Sequence, residues 1–155
     1  MHPSVEEVLS EAAIPFRVWR HADLPVPIQS PADFAAALGY EPERITKTLL
    51  LKASGQERFC VVVIPANARL NFASVSEEMG GGRYSMASPE HLSRILGYQQ
   101  FGVSPLGVRD IPVVIERHLQ TYETILIGSG LAGIEIELAP SDLAALTRGI
   151  LRDIR

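Results

Sequence analysis

The 155-residue chain has a single cysteine, few aromatic residues and no long apolar run. With Cys60 alone, neither an intrachain disulfide nor a cysteine-based metal site can form. Cys60 lies inside Phe59-Cys60-Val61-Val62-Val63-Ile64, where a small buried hydrophobe is expected rather than a nucleophile. The four histidines, His2, His21, His91 and His118, share no metal-ligand spacing and fall in different predicted elements, so no bound metal is expected. No stretch approaches the roughly 20 apolar residues that cross a bilayer. The opening residues Met1 to Glu7 lack the basic-then-apolar order of a signal peptide, so a cytoplasmic protein without a membrane partner is the expectation. Positive charge is not in excess either: 14 Lys and Arg against 18 Asp and Glu leave a formal net charge of −4. That argues against a protein that coats DNA or RNA through a broad basic surface, while the scattered Lys47, Lys52, Arg58 and Arg69 leave room for a small cationic mouth. There is also no Gly-x-Ser-x-Gly elbow, which disfavours an ordinary serine or thioester hydrolase.

What is present suffices for one compact unit spanning 1–155, because 46% of the residues are hydrophobic and no linker, repeat or low-complexity tract divides the chain. Ser4-Val5-Glu6-Glu7 has the form of a capping box, and Val5, Val8, Leu9 and Ala12 continue at helical spacing. Phe16 to His21 alternates apolar and basic residues as a half-exposed strand does. Ser30-Pro31 and Ser88-Pro89 open helices that close on Gly39 and Gly97. Residues 45–52 and 58–64 are apolar runs around a Gly-containing loop, the pattern of a hairpin of buried strands. Asn71 caps a further helix that stops at Gly80-Gly81-Gly82; without a lysine or a strand before it, that glycine run reads as a terminator rather than a phosphate loop. Residues 111–116, 123–127 and 133–138 read as strands, and Ser141 as the cap of a last helix running through Leu143, Leu146 and Ile150. The order is too irregular for a ladder of parallel units, so the expected fold is α+β with a mixed, partly barrel-like central sheet surrounded by helices.

Two features suggest chemistry. Ser104-Pro105, unlike the other Ser-Pro pairs, is framed by Gly102 and Gly107, so the backbone must turn there and can present main-chain N–H groups to a small ligand's oxygens. Lys47 shares a strand face with Leu49 and Leu51, an unfavourable place for an ammonium group unless it is used or snorkels. From spacing alone, Lys47 and Lys52 could equally be solubilising flanks of a sticky strand.

Thr46-Lys47-Thr48-Leu49-Leu50-Leu51-Lys52, Val62-Val63-Ile64-Pro65 with Arg69-Leu70, Ser88-Pro89-Glu90 with Leu96-Gly97-Tyr98, Gly102-Val103-Ser104-Pro105-Leu106-Gly107, and Ile134 to Pro140 with Asp142-Leu143 together resemble the YbaK/prolyl-tRNA-synthetase-associated (INS-like) domain family. Order and spacing match from about the first helix to the C-terminus. The resemblance implies a mixed α/β fold and hydrolysis of the ester of mischarged tRNA carrying Ala, Ser, Thr or Cys, in trans and without a metal or organic cofactor. It puts Lys47 at the functional lysine, binding phosphate or a developing oxyanion. Phe101, Gly102, Val103, Ser104, Pro105 and Gly107 become the substrate-lining loop, with Thr46, Gly130 and Glu135 near the pocket. His21 ends a strand near the pocket too, and reads as a surface strand-end histidine rather than a catalytic one. The chain departs from the family's pattern at Phe101, a bulky ring where small residues are common, and at Gly128-Ser129-Gly130, where the role of a Ser-Ala-Gly serine is lost or moves to Ser129. Glu135 stands where some members have aspartate. No general base is assigned. The implied partners are the tRNA acceptor end with its amino acid, and a synthetase or elongation factor for capture. A non-catalytic module that senses aminoacyl-tRNA or a free amino acid is the alternative that these departures keep open.

Overall fold

A computed structural model describes residues 1–155. Its elements follow the punctuation of the sequence. The helices are α1 (Pro3–Glu11), α2 (Pro31–Leu38), α3 (Phe72–Glu78), α4 (Pro89–Leu96) and α5 (Pro140–Thr147). The strands are β1 (Phe16–Arg20), β2 (Thr46–Ala53), β3 (Phe59–Pro65), β4 (Tyr84–Met86), β5 (Val113–Glu116), β6 (Ile125–Gly128), β7 (Ile134–Leu138) and β8 (Ile150–Arg152). Ser30, Asn71 and Ser88 each accept a backbone N–H at their helix N-termini, as their side-chain chemistry directs. Gly39 and Gly97 end α2 and α4 in the left-handed region.

Two helix starts depart from expectation. The N-cap of α1 is His2, whose Nδ1 accepts from the Ser4 N–H. Ser4 is inside the helix, and its hydroxyl meets His2 Nδ1 at 2.8 Å and the Tyr98 hydroxyl at 3.1 Å. Similarly, α5 begins at Pro140 after Ala139, with no side-chain cap, so Ser141 lies within its first turn. The helix stops at Thr147, and Ile150 instead opens β8, because a parallel edge beside β5 is available to pair with it.

The strands form one sheet of order β4-β2-β3-β5-β8 and another of order β1-β7-β6. β2 and β3 are the expected antiparallel hairpin, whereas β3–β5 and β5–β8 run parallel. All seven residues of β3 are buried, which fits a central strand covered on both faces. Alternate residues serve different cores. Leu50, Val61 and Val63 join Val5, Leu9, Leu92 and Leu143 from α1, α4 and α5, while Leu51, Cys60, Val62 and Ile64 pack with Val75 of α3. The sheets are linked by a parallel bridge between Ile45 and Leu126, reinforced by the Thr46 hydroxyl donating to the Leu126 carbonyl at 2.7 Å. That junction makes the mixed α+β architecture partly barrel-like, and the site is built beside it.

Candidate active site

Ile45 and Leu126 face the same small core, with Phe34 and Ala35 of α2. Continuing their parallel register by two residues sets Lys47 beside Gly128, and the antiparallel β6–β7 pairing sets Gly128 opposite Glu135. Lys47, Gly128 and Glu135 therefore form a row across three adjacent strands on one face. With strands about 4.8 Å apart, the two charged side chains start from positions roughly 10 Å apart, with none between them.

A cleft of about 330 Å³ opens over this row. Of the residues singled out from sequence, Lys47, Thr46, His21, Phe101, Gly102, Val103 and Glu135 line it. The Lys47 ammonium donates to the Ala68 carbonyl at 2.9 Å, which orients the head and leaves two N–H groups for other partners. Thr46 is nearly buried and its hydroxyl is committed to Leu126, so it fixes the strand junction at the cleft wall.

Opposite Lys47 stands a hydrogen-bonded pair. His21 follows β1 directly, its N–H donates to the Gly133 carbonyl, and its Nε2 lies 2.8 Å from Glu135 Oε2. The ring also leans on Phe34 at 4.9 Å. The contact at Nε2 leaves Nδ1 as the ring nitrogen able to meet a water. Burial pushes the Glu135 carboxyl above its usual value, outweighing the opposing pull of His21. Two residues along the same strand face, Glu137 takes the other course. Burial pushes it up too, but hydrogen bonds from Thr124, Trp19 and Tyr40 and the charge of Arg44 prevail and hold it below the usual carboxylate range. Trp19 Nε1 donates at 2.8 Å, the Tyr40 hydroxyl at 3.0 Å, and Arg44 lies at 3.3 Å. Glu137 is thus a satisfied structural anion, and Glu135 is the carboxylate left to face the cleft.

The loop over the cleft is held by close backbone approaches. A Cβ on Gly128 would collide with the Val103 carbonyl, and one on Gly102, whose φ is 79°, would sit 2.5 Å from the Leu131 carbonyl oxygen. Gly130 N–H donates to the Gly102 carbonyl at 2.6 Å. The Tyr98 hydroxyl donates to the Leu106 carbonyl at 2.8 Å, tying the far end of the loop to Ser4 of α1. Behind these contacts lie the remaining candidates, outside the cleft lining. Ser104 is fully buried, with its Oγ accepting from the Leu106 N–H, and Pro105 is buried beside it. Gly107 packs on Ser4 and Gly130 on His2. The buried Ser129 donates to the Leu131 carbonyl at 3.1 Å.

Gly128, Gln100, Thr48, Ala132 and Gly133 also line the cleft, although none of them was a site candidate from the sequence. The signal for Gly128 was a glycine closing an otherwise apolar strand; the others carried none. Cys60 is fully buried away from the cleft, and burial pushes its thiol up to about 12 despite Arg58 nearby.

Residues 26–146 match the family model of the aminoacyl-tRNA editing domain. A protein of Enterococcus faecalis, proposed by its name to be a Cys-tRNA(Pro)/Cys-tRNA(Cys) deacylase, is 32% identical over 121 residues, covering 77% of this chain and 73% of that protein. The crystal structure of a hypothetical protein superposes with a TM-score of 0.84 at 27% identity, covering 97% of this chain and 98% of the other. A structure described as that of a proposed trans-editing enzyme for prolyl-tRNA synthetase also gives 0.84, at 22% identity, over 100% of this chain and 98% of the other, and shares the fold.

Proposed function

This chain belongs to the aminoacyl-tRNA editing domain family, and from that premise we propose that it acts in trans on tRNA mischarged with a small amino acid of the Ala, Ser, Thr or Cys class. Its activity is that of an aminoacyl-tRNA deacylase, a hydrolase whose substrate is charged tRNA. The observation that carries the assignment of roles is that Lys47 and the hydrogen-bonded His21–Glu135 pair line one cleft, at which the Val103 carbonyl packs on the backbone of Gly128. An ester carbonyl held in this cleft between them has a cation on one side and a proton acceptor on the other. Water adds to the carbonyl carbon as its proton passes to His21 Nδ1, and Glu135 steadies the resulting imidazolium through Nε2. Lys47 stabilises the oxyanion, or the phosphate that positions the terminal adenosine. Collapse breaks the bond to the ribose oxygen, which takes the proton back from His21, releasing free amino acid and tRNA. A Lys/His/Glu arrangement needs no serine or cysteine nucleophile, in keeping with the buried Ser104, Ser129 and Cys60.

The small-amino-acid reading rests on the substrate named for the Enterococcus faecalis relative and on a cleft of about 330 Å³ that must also admit the terminal ribose. The net charge of −4 fits weak capture of the tRNA body by this chain alone, so a synthetase or elongation factor is the expected aid; co-purification with neither would count against that extension. The test is a panel of tRNAs charged with Ala, Ser, Thr, Cys and Pro, incubated with the wild type and with Lys47→Ala. Release of one or more small amino acids, reduced about 10²–10³-fold in the variant, supports the reading. Equal activity of Lys47→Ala, or release of every amino acid alike, overturns it.

A further inference from the structure

Next to the cleft lies a second groove of about 540 Å³, lined by His2, Gln99, Gln100, Phe101, Leu131 and Ala132 together with two glycines. Gln100, Phe101 and Ala132 line both spaces, so the groove adjoins the cleft at Phe101. Phe101 is 72% exposed, the highest value among the large apolar side chains, and Leu131 beside it is 43% exposed. An exposed phenyl ring on a loose loop would mean little, but this loop is pinned on both sides. Tyr98 is buried and bonded to Leu106, and the Gly102 carbonyl accepts from Gly130. Gly102 touches the Leu131 backbone so closely that no side chain could be inserted between the two segments. The ring is therefore presented by a fixed backbone, with the amides of Gln99 and Gln100 beside it. No carboxylate lines the groove, although the chain as a whole is acidic.

We propose that this groove is a base-stacking subsite for the unpaired nucleotide that precedes the terminal adenosine of the charged tRNA, with Phe101 as the platform. The inference rests on the deacylase reading of the cleft. If the 3′ ribose ester lies in the cleft between Lys47 and His21, the strand must leave along a wall of the cleft, and Phe101 is the wall that offers a flat apolar face to the next base. Stacking tolerates any base, and the neighbouring amides supply donors and acceptors for its edge. Neither demands a broad basic surface.

The test uses the full chain and two kinds of substrate: the mischarged amino acid esterified to adenosine alone, and the same ester on a CCA trinucleotide or whole tRNA. Phe101→Ala is expected to raise KM about tenfold more for the trinucleotide and tRNA than for the adenosine ester, and Phe101→Trp to restore the ratio. An equal loss on the adenosine ester would make Phe101 a wall of the aminoacyl cleft only, and no loss on any substrate would remove it from binding; either result overturns the proposal. An uncharged CCA trinucleotide with 2-aminopurine at its middle position provides a readout independent of hydrolysis. Quenching by the wild type and not by Phe101→Ala supports the platform even if no ester is cleaved, in which case the deacylase reading alone fails. Absence of quenching by the wild type overturns the platform whatever the esters do.

Discussion

Glu135 and Glu137 are two residues apart on one strand face, and replacing each by glutamine should have opposite consequences. Glu135→Gln keeps the shape and an oxygen that can accept from His21 Nε2, but it removes the negative charge that steadies the imidazolium formed during water attack. Loss of assisted proton transfer costs about 10²-fold or more in kcat. The same change removes a carboxylate that burial disfavours, so folding should be unaffected or improved at neutral pH. Glu137→Gln leaves the cleft lining intact but cancels an anion that accepts from Trp19, Tyr40 and Thr124 and faces the half-buried Arg44. Breaking a buried charge pair costs about 3–5 kcal/mol. For a domain of this size that lowers Tm by roughly 10 °C. The pH dependences also oppose each other. Because its pKa is raised, Glu135's contribution is fully present below the ordinary carboxylate pKa and is lost as pH rises through the raised value, so Glu135→Gln gains on the wild type over that window. Because its pKa is lowered, Glu137's contribution is present above the ordinary value and is lost as pH falls through the lowered one. The deficit of Glu137→Gln is therefore widest at neutral pH and closes in acid. Thermal melts between pH 3 and 8, with deacylation rates on one mischarged tRNA, read both effects. Full activity in Glu135→Gln, or equal destabilisation by the two substitutions, would refute the division of roles.

Gly128→Ala places a methyl group against the Val103 carbonyl, so the 101–103 loop must lift; Tm should fall by the equivalent of about 1–3 kcal/mol, with a larger loss of deacylation than of stability, and an unchanged protein would show that the loop does not rest on this glycine. Cys60, with its thiol pushed up to about 12 and its side chain fully buried, should resist thiol-alkylating reagents at pH 8 until the protein is unfolded, and rapid labelling of the native protein would contradict the packing of β3.

Much of the fold could be read from local signals, because those signals act within a few residues. Ser30, Asn71 and Ser88 cap helices by bonding the N–H three residues on, Gly39 and Gly97 end them where a left-handed residue is needed, and the two apolar runs around Gly55 can only pair as a hairpin. Lys47 and the 101–107 loop stood out because an ammonium on an apolar strand face and a Ser-Pro framed by glycines are costly without a use. The three-residue strands β4 and β8 were not legible. Each is too short for a period to register, and each exists only because an edge of the larger sheet is there to pair with it. His2 escaped notice as a cap for a similar reason, since its ring is held in place by Ser4 and by Tyr98, far away in the chain.

The amino-acid sequence by itself determined which residue types were at hand: a lysine on the apolar face of a strand, a histidine closing β1, an alternating Ile-Glu-Ile-Glu strand and a glycine-rich turn. Only the tertiary structure decided which of them meet. The parallel bridge at Ile45 and Leu126 and the β6–β7 register set Lys47, Gly128 and Glu135 in one row, and a slip of one residue would have turned them to opposite faces. The same packing sends Ser104 and Ser129 inward, because the Gly102, Gly128 and Gly130 contacts draw the loops too close together for those hydroxyls to face the cleft. The β6–β7 register is local, but the bridge from Ile45 to Leu126 joins partners some eighty residues apart, and no local pattern in the chain encodes it.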